Sequence, residues 1–413
     1  MADMTPSYTQ KEKSESDLNL INILTGIGLL TVTGYLLLLG FRFLQTPDVY
    51  VEGFIDPVEQ QLLLKLIITV FAIIWGVGGM AVAFYLLNMI AEGLPHRIRA
   101  YVTPYVFVLP ATGLLVYTLG LPTIRTIRTS FFDRNAETFV GWANYNDVFT
   151  SRIMLTAFRN NVLWLVFGAT LSVAIGLIIA TLADRSKFER LAKSLIFLPM
   201  AISFVGAGVI WNFIYVVRDE GSNQIGLLNA ILVSFGFEPQ AWTTTLWVNK
   251  LVDGSPAIQA WQASLPEWMV EYGLLGGAHN FFLIVIFIWL QTGFAMVLFS
   301  AALKGIPSEL LEAARVDGAS EWTIFFRIMI PSIWGTIVTV TTTIVIASLK
   351  IFDIVRVMGR GQASTQVIAT QFYQEINVTN NKGLAATIAV VLLVAVIPVM
   401  IYNLREFSKR EAF

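Results

Sequence analysis

The stretch from residue 303 to 334 carries charged and helix-ending residues at regular spacing between two apolar segments. Pro307 suits the first turn of a helix, and Glu309 and Glu312 follow where the helix dipole favours negative charge. Gly318 can end this helix, because only glycine enters the left-handed cap conformation cheaply. The spacing therefore predicts one short helix that stops at a sharp turn.

A second short helix is predicted directly after that turn. Ser320 can cap its start, and Pro331 is expected to stop it. Its apolar side is formed by Trp322, Phe325, Phe326 and Met329. A plain connector does not need two capped helices with a glycine between them. The whole stretch, called loop 303–334 below, is predicted to fold into a compact helix–turn–helix with a mostly polar outer end.

Residues for bond-making chemistry are scarce in this chain. It has no cysteine and only two histidines, His96 and His279, so we expect no catalytic residue and no metal ligand. A phosphate-binding G-x-x-x-x-G-K-[ST] loop is missing, so we expect no nucleotide or other cofactor in this chain. The net charge of −1 gives no basic surface for nucleic acid.

The composition predicts the elements that hold this loop. Of 413 residues, 56% are apolar and 13% are charged, about half the charged fraction of a soluble domain. Apolar segments near 20 residues are long enough to cross a bilayer as helices. We predict an all-α polytopic membrane protein with about eight transmembrane helices, at 19–43, 62–90, 101–124, 161–183, 194–217, 281–302, 335–349 and 383–404.

The placement of Lys and Arg predicts that both termini are cytoplasmic. With that orientation, the cytoplasmic segments have more than twice the Lys and Arg density of the outside segments. Loop 303–334 is then cytoplasmic, and the long loop 218–280 is outside. Its four tryptophans could stack on a sugar or grip a partner, or they could belong to helices lying on the bilayer, the interpretation that we favour.

Loop 303–334 resembles the EAA loop of binding-protein-dependent ABC importer permeases in its Glu312-Ala313-Ala314 triplet, its Gly318 and its Ile328-Met329-Ile330-Pro331 ending. Three other stretches resemble sugar-importer permeases of the maltose/α-glucoside type: 130–149, 288–307 and 349–358. The resemblance covers a six-helix permease core at 101–413. Residues 1–100 add a polar cytoplasmic head and two further transmembrane helices.

The resemblance implies a type I ABC importer permease fold in a bacterial inner membrane, importing a sugar, a glycoside or a glucosylglycerol-like osmolyte. It implies four kinds of partner besides lipid: a second permease subunit, two ATPase subunits that hold ATP and Mg, an outside solute-binding protein and the substrate. The first loop helix would couple ATPase closure to transport. Its coupling residues would be Glu312, Ala313, Ala314, Asp317 and Gly318.

The same resemblance implies a substrate path through Phe287, Leu290, Gln291, Phe294, Lys350 and Asp353. Helix packing explains the three apolar residues equally well. Gln291 is harder to explain by packing, because an amide in hydrocarbon needs partners. Lys350 and Asp353 are three residues apart and could simply pair on one helix face near the outer interface.

Two other classes of protein remain as alternatives at this point. An ion-coupled secondary transporter usually has ionisable residues deep in its spans, and apart from Lys65, Lys350 and Asp353, all near span ends, there are almost none. A membrane enzyme would need a constellation of histidines, cysteines or paired carboxylates, which the sequence does not offer.

Overall fold

A computed structural model describes residues 20–45, 58–184, 186–219, 222–243, 256, 280–359 and 363–411. Within these ranges the chain forms helices joined by turns, with one isolated antiparallel bridge between Phe132 and Phe139. The predicted all-α fold is confirmed. Most of loop 218–280, including three of its four tryptophans, lies outside the described residues. The chain divides into two compact units, Met1–Thr123 and Ile124–Phe413.

The first unit is built from long apolar helices: α1 (Leu20–Gln45), α2 (Val58–Glu92), α3 (His96–Leu115), a π-helical turn at Val116–Gly120 and the start of α4 (Leu121–Thr129). α1 packs closely along α2. Gly40 lies directly against the Trp75 ring, and Gly79 lies against Leu37. Small residues at such positions let the backbones of two membrane helices approach each other.

The second unit contains the remaining helices. The helices before residue 243 are α5 (Ala143–Thr150), α6 (Arg152–Leu163), a π-helical turn (Trp164–Ala169), α7 (Thr170–Ala183), α8 (Glu189–Phe197), a 3-10 turn (Leu198–Ala201), α9 (Phe204–Tyr215) and α10 (Leu227–Ser234). After it come α11 (Asn280–Lys304), α12 (Ser308–Val316), α13 (Glu321–Ile324), a π-helical turn (Phe325–Met329), α14 (Ile330–Ser332), α15 (Trp334–Leu349), α16 (Asp353–Gly359), a 3-10 turn (Ala363–Thr365), α17 (Ile368–Asn377) and α18 (Lys382–Glu411).

α11 is the central helix of the second unit. About half of its residues are buried, and its neighbours include α7, α8, α9 and α15. Two glycines permit the closest approaches. A Cβ on Gly176 would lie 2.5 Å from the Cβ of Ala295, and one on Gly293 would lie 2.6 Å from the carbonyl oxygen of Ile196. Both distances are too short for any side chain, so α7 and α8 are held tightly against α11.

Six of the eight predicted spans are confirmed as helices long and apolar enough to cross a membrane. The predicted span 194–217 is instead a pair of helices bent by 103°. Pro199 lies in a 3-10 turn, and the Ser203 hydroxyl accepts a hydrogen bond from the Gly206 N–H at 3.0 Å, so a new helix starts there. Together the two helices are long and apolar enough to count as one broken span, although hydropathy alone did not predict the bend.

The short predicted span 335–349 also follows a bend, of 72°, between Glu321–Ser332 and Trp334–Leu349. The break falls at Ile333, two residues after the predicted stop at Pro331. α15 is rich in β-branched residues but stays helical. Its Thr339, Thr342 and Thr343 hydroxyls donate to carbonyls four residues earlier at 2.9, 2.8 and 2.9 Å, which satisfies them without water.

Candidate functional site

The first loop helix is α12, and it begins at Ser308 directly after Pro307, as predicted to within a residue. Glu309 lies in its first turn, whereas Glu312 lies a full turn later. Gly318 has φ +79°, the left-handed conformation predicted for it. The Ala319 N–H donates to the Ala314 carbonyl, and the Gly318 N–H donates to the Arg315 carbonyl, both at 3.0 Å. This pair of bonds is a Schellman cap and ends the helix sharply.

The two faces of the first loop helix have different surroundings. Leu311 and Ala314 pack against the core of the second unit. The opposite face is exposed and combines acidic and apolar side chains: Glu309, Leu310, Glu312, Ala313 and Val316. Val316 is 87% exposed, although it is apolar. Four of the five predicted coupling residues therefore lie on the surface, and Ala314 lies beneath them.

The second loop helix runs from Glu321 to Ser332 through α13, its π-helical turn and α14. The Ser320 hydroxyl accepts a hydrogen bond from the Thr323 N–H at 3.2 Å, which confirms the predicted cap. Across the Gly318 turn, Arg315 Nε donates to Glu321 Oε1 at 3.0 Å. Both side chains are half exposed, so the pair orients the two helices more than it stabilises them.

A cluster of charged groups ties the start of the loop to α8. Lys193 contacts Asp184 and Ser300 and pairs with Glu189 at 2.6 Å, while Lys304 also pairs with Glu189. The Ser300 hydroxyl donates to Asp184 at 2.7 Å. The Lys193 side chain is largely buried among these groups, with 17% of its surface exposed. The i, i+4 spacing of Glu189 and Lys193 could have predicted this one pair, but not the contacts with Asp184, Ser300 or Lys304.

The predicted substrate-path residues of α11 fall into two groups. Phe287 and Leu290 are buried in the core. The Phe287 ring lies edge-on to Trp164, with centroids 5.8 Å apart, and is stacked on Phe204 at 6.2 Å. Gln291 and Phe294 are partly exposed on one side of the helix. Of these four residues, only Gln291 and Phe294 are partly exposed.

Lys350 and Asp353 flank the break between α15 and α16 instead of sharing a helix face. Lys350 is exposed, Asp353 is partly buried, and Ile351 between them is buried. Among the ion pairs of the described residues, none joins these two side chains. α16 packs against both α9 and α11. The structure thus brings the α16 backbone to α11, without a described contact between Asp353 and the α11 path residues.

Sequence reasoning missed a cluster of buried amides at the end of the second unit opposite loop 303–334. Asn160 Nδ2 donates to the carbonyls of Ser364 and Gln366 at 2.9 and 2.7 Å. Asn161 Nδ2 donates to the Leu349 carbonyl at 3.1 Å, and its Oδ1 accepts from the Ile368 N–H at 2.8 Å. These bonds fix the segment around α16 to α6. Two adjacent asparagines at the start of the predicted span 161–183 were the available signal.

The site therefore consists of a rigid, surface-exposed helix that is attached at its base to the central helix of the unit. α11 continues through Lys304 into the loop, and the same helix carries Gln291 and Phe294. The first loop helix is joined to α11 by only three residues, 305–307, and packs on the core through Leu311 and Ala314. This arrangement suits a mechanical coupling element.

Comparison with known proteins agrees with this geometry. The family described as "Binding-protein-dependent transport system inner membrane component" matches residues 172–407. The osmoprotective compounds uptake permease protein GgtC of Synechocystis sp. is 49% identical, over 74% of this chain and 99% of GgtC. The alpha-glucoside transport system permease protein AglF of Rhizobium meliloti is 45% identical, over 76% of this chain and 85% of AglF.

A solved structure shares the fold. It is that of a bacterial alginate ABC transporter in complex with an alginate pentasaccharide-bound periplasmic protein, and one of its chains matches with a TM-score of 0.58 and 18% identity. The match covers 74% of this chain and 94% of that chain. The family match spans more than half of the sequence, and both relatives are aligned over most of their own length. The chain belongs to the family of inner membrane components of binding-protein-dependent transport systems.

Proposed function

We propose that this permease subunit imports an α-glucoside or a related polyhydroxylated osmoprotectant, driven by ATP hydrolysis on partner subunits. The main support is sequence identity: a relative named for α-glucosides is 45% identical to this chain, and one named for osmoprotective compounds is 49% identical. The family match at residues 172–407 includes α11 and loop 303–334. The membership of the family also argues against the ion-coupled alternative.

The coupling proposal rests on the first loop helix. Its exposed face offers Glu312 for a basic residue and Leu310, Ala313 and Val316 for an apolar cleft, so it fits a groove on an ATPase subunit. We propose that Ala314 holds the helix to the core and that Asp317 and Gly318 set its angle. Since the chain offers one such helix, a second permease subunit would engage the second ATPase.

The substrate path is proposed to follow the partly exposed side of α11. Gln291 supplies an amide donor and acceptor for sugar hydroxyls, and Phe294, close by on the same side, supplies an aromatic face. Phe287 and Leu290 would support this side from the core. Lys350 and Asp353, at the break before α16, would meet the solute or the partner permease near the outer end of the path.

The test is reconstitution of the permease with its second permease, its ATPase subunits, ATP and Mg²⁺, and its solute-binding protein. We expect uptake of a labelled α-glucoside only when ATP and the binding protein are both present. A non-glucoside sugar of similar size serves as the substrate control. ATP-independent uptake that a proton or sodium ionophore abolishes would contradict the proposal.

A further inference from the structure

Two large aromatic rings are exposed on the second loop helix. Trp322 and Phe326 lie one turn apart and are 74% and 57% exposed. Their rings are stacked with centroids 6.0 Å apart and planes inclined by 12°. Neighbouring Ile324 and Met329 are buried, so this helix already uses its other side for the core. The stacked pair is a second, outward apolar surface.

This surface continues the side of α7 that faces away from the protein. A groove of about 260 Å³ lies between the helices and is lined by Ile178, Thr181, Leu182, Glu321, Trp322 and Phe325. Ile178 and Leu182 are exposed apolar residues in the last turns of the span Arg152–Ala183. Apolar residues on the outside of a membrane span are suited to contact with lipid. Trp322 therefore continues an exposed apolar surface of the span instead of forming an isolated patch.

The charges around the rings suit the border of a bilayer. Arg327 follows Phe326 and is exposed, and no ion pair of Arg327 occurs among the described residues. The carboxylate of Glu321 on the groove wall is paired with Arg315, which reduces its repulsion of lipid phosphate. Tryptophan and arginine are typical of this depth, where rings meet acyl chains and cations meet phosphates.

We propose that Trp322, Phe326 and Arg327 form a lipid anchor that holds the second loop helix in the bilayer interface. The rings insert at the level of the upper acyl chains, and Arg327 binds a lipid phosphate. The base of loop 303–334 then keeps a constant depth, while the first loop helix projects into water beyond the Gly318 turn. The lipid contact does not depend on the proposed coupling role.

The absence of native cysteine permits a direct test in the full-length chain. Phe326→Cys and, as the matched control on the first loop helix, Val316→Cys are each labelled with an environment-sensitive fluorophore. Both are reconstituted in vesicles of phosphatidylethanolamine and phosphatidylglycerol, with or without bromine on the acyl chains. We expect brominated lipid to quench the label at 326 severalfold more than the label at 316, and aqueous iodide to do the reverse.

Trp322→Cys, labelled in the same way, provides a second position in case one variant inserts poorly, and it is expected to follow 326. Equal iodide quenching at 316, 322 and 326 would overturn the proposal. So would protection of 322 and 326 that appears only when the ATPase or the second permease is added, because the rings would then be a protein contact. Failure of the coupling proposal alone would leave the lipid quenching unchanged.

Discussion

Replacement of Gly318 by valine should change the angle of the first loop helix while every other side chain of the loop stays the same. A Cβ at this position meets nothing within 4 Å, so it has open space around it. The main penalty is conformational, because φ is +79° and a left-handed residue with a side chain costs roughly 1–2 kcal/mol. This corresponds to a factor of about 5–30 in the population of the native turn.

We expect Gly318→Val to insert normally and to lose ATPase subunits during purification, with uptake of the α-glucoside reduced by a similar factor. Gly318→Asn should lose less, because asparagine tolerates the left-handed conformation. The measurement is the amount of ATPase retained on the purified membrane complex, together with substrate-stimulated ATP hydrolysis and uptake.

Gly236 provides a closely matched control. It ends α10 with φ +79°, also has nothing within 4 Å of a Cβ, and carries the same pair of capping bonds, from Gly236 N–H to Val233 and from Phe237 N–H to Leu232. Gly236→Val should impose the same penalty without loss of ATPase. If Gly318→Val keeps its ATPase and transports like wild type, the angle of the first loop helix does not control coupling and the reasoning is refuted.

Four further expectations concern single positions. Glu312→Ala should weaken ATPase retention more mildly than the Gly318 variant through loss of one charge-assisted contact, and normal retention would count against that contact. Gln291→Ala should leave the complex assembled and raise the substrate KM, and an unchanged KM would remove Gln291 from the path. Lys193→Met should lower the melting temperature of the detergent-solubilised chain, because Asp184 loses its ion-pair partner and Glu189 keeps only Lys304. A cysteine at Ser320 should react only from the cytoplasmic side and one at Ser222 only from outside, and the reverse pattern would invert the assigned orientation.

Local sequence signals predicted the elements whose cause is local. Hydropathy predicted six continuous spans. Gly318 predicted the end of the first loop helix and Ser320 the start of the second, because a left-handed cap and a hydroxyl cap act within a few residues. The bend between α8 and α9 also has a local cause in Pro199 and Ser203. It was missed because length and hydropathy alone describe 194–217 equally well as one helix.

The remaining features depend on contacts between distant parts of the chain. Lys193 meets Ser300 across more than a hundred positions, so no spacing rule could pair them. The same holds for the path along α11. Phe287, Leu290 and Gln291 share one apolar stretch, and tertiary contacts such as those of Trp164 and Phe204 with Phe287 determine which residues of the stretch are buried.

The paired asparagines of α6 have a consequence for the order in which the chain folds. Asn160 and Asn161 bond to backbone groups that follow them by about 190–210 positions. During synthesis α6 reaches the membrane long before those groups exist, and an unpaired amide in hydrocarbon is costly. We therefore expect the nascent helix to keep these amides near water or lipid headgroups until residues 349–368 have been synthesised. Its amides make the final assembly of the bundle a late, long-range event rather than a sequence of independent insertions.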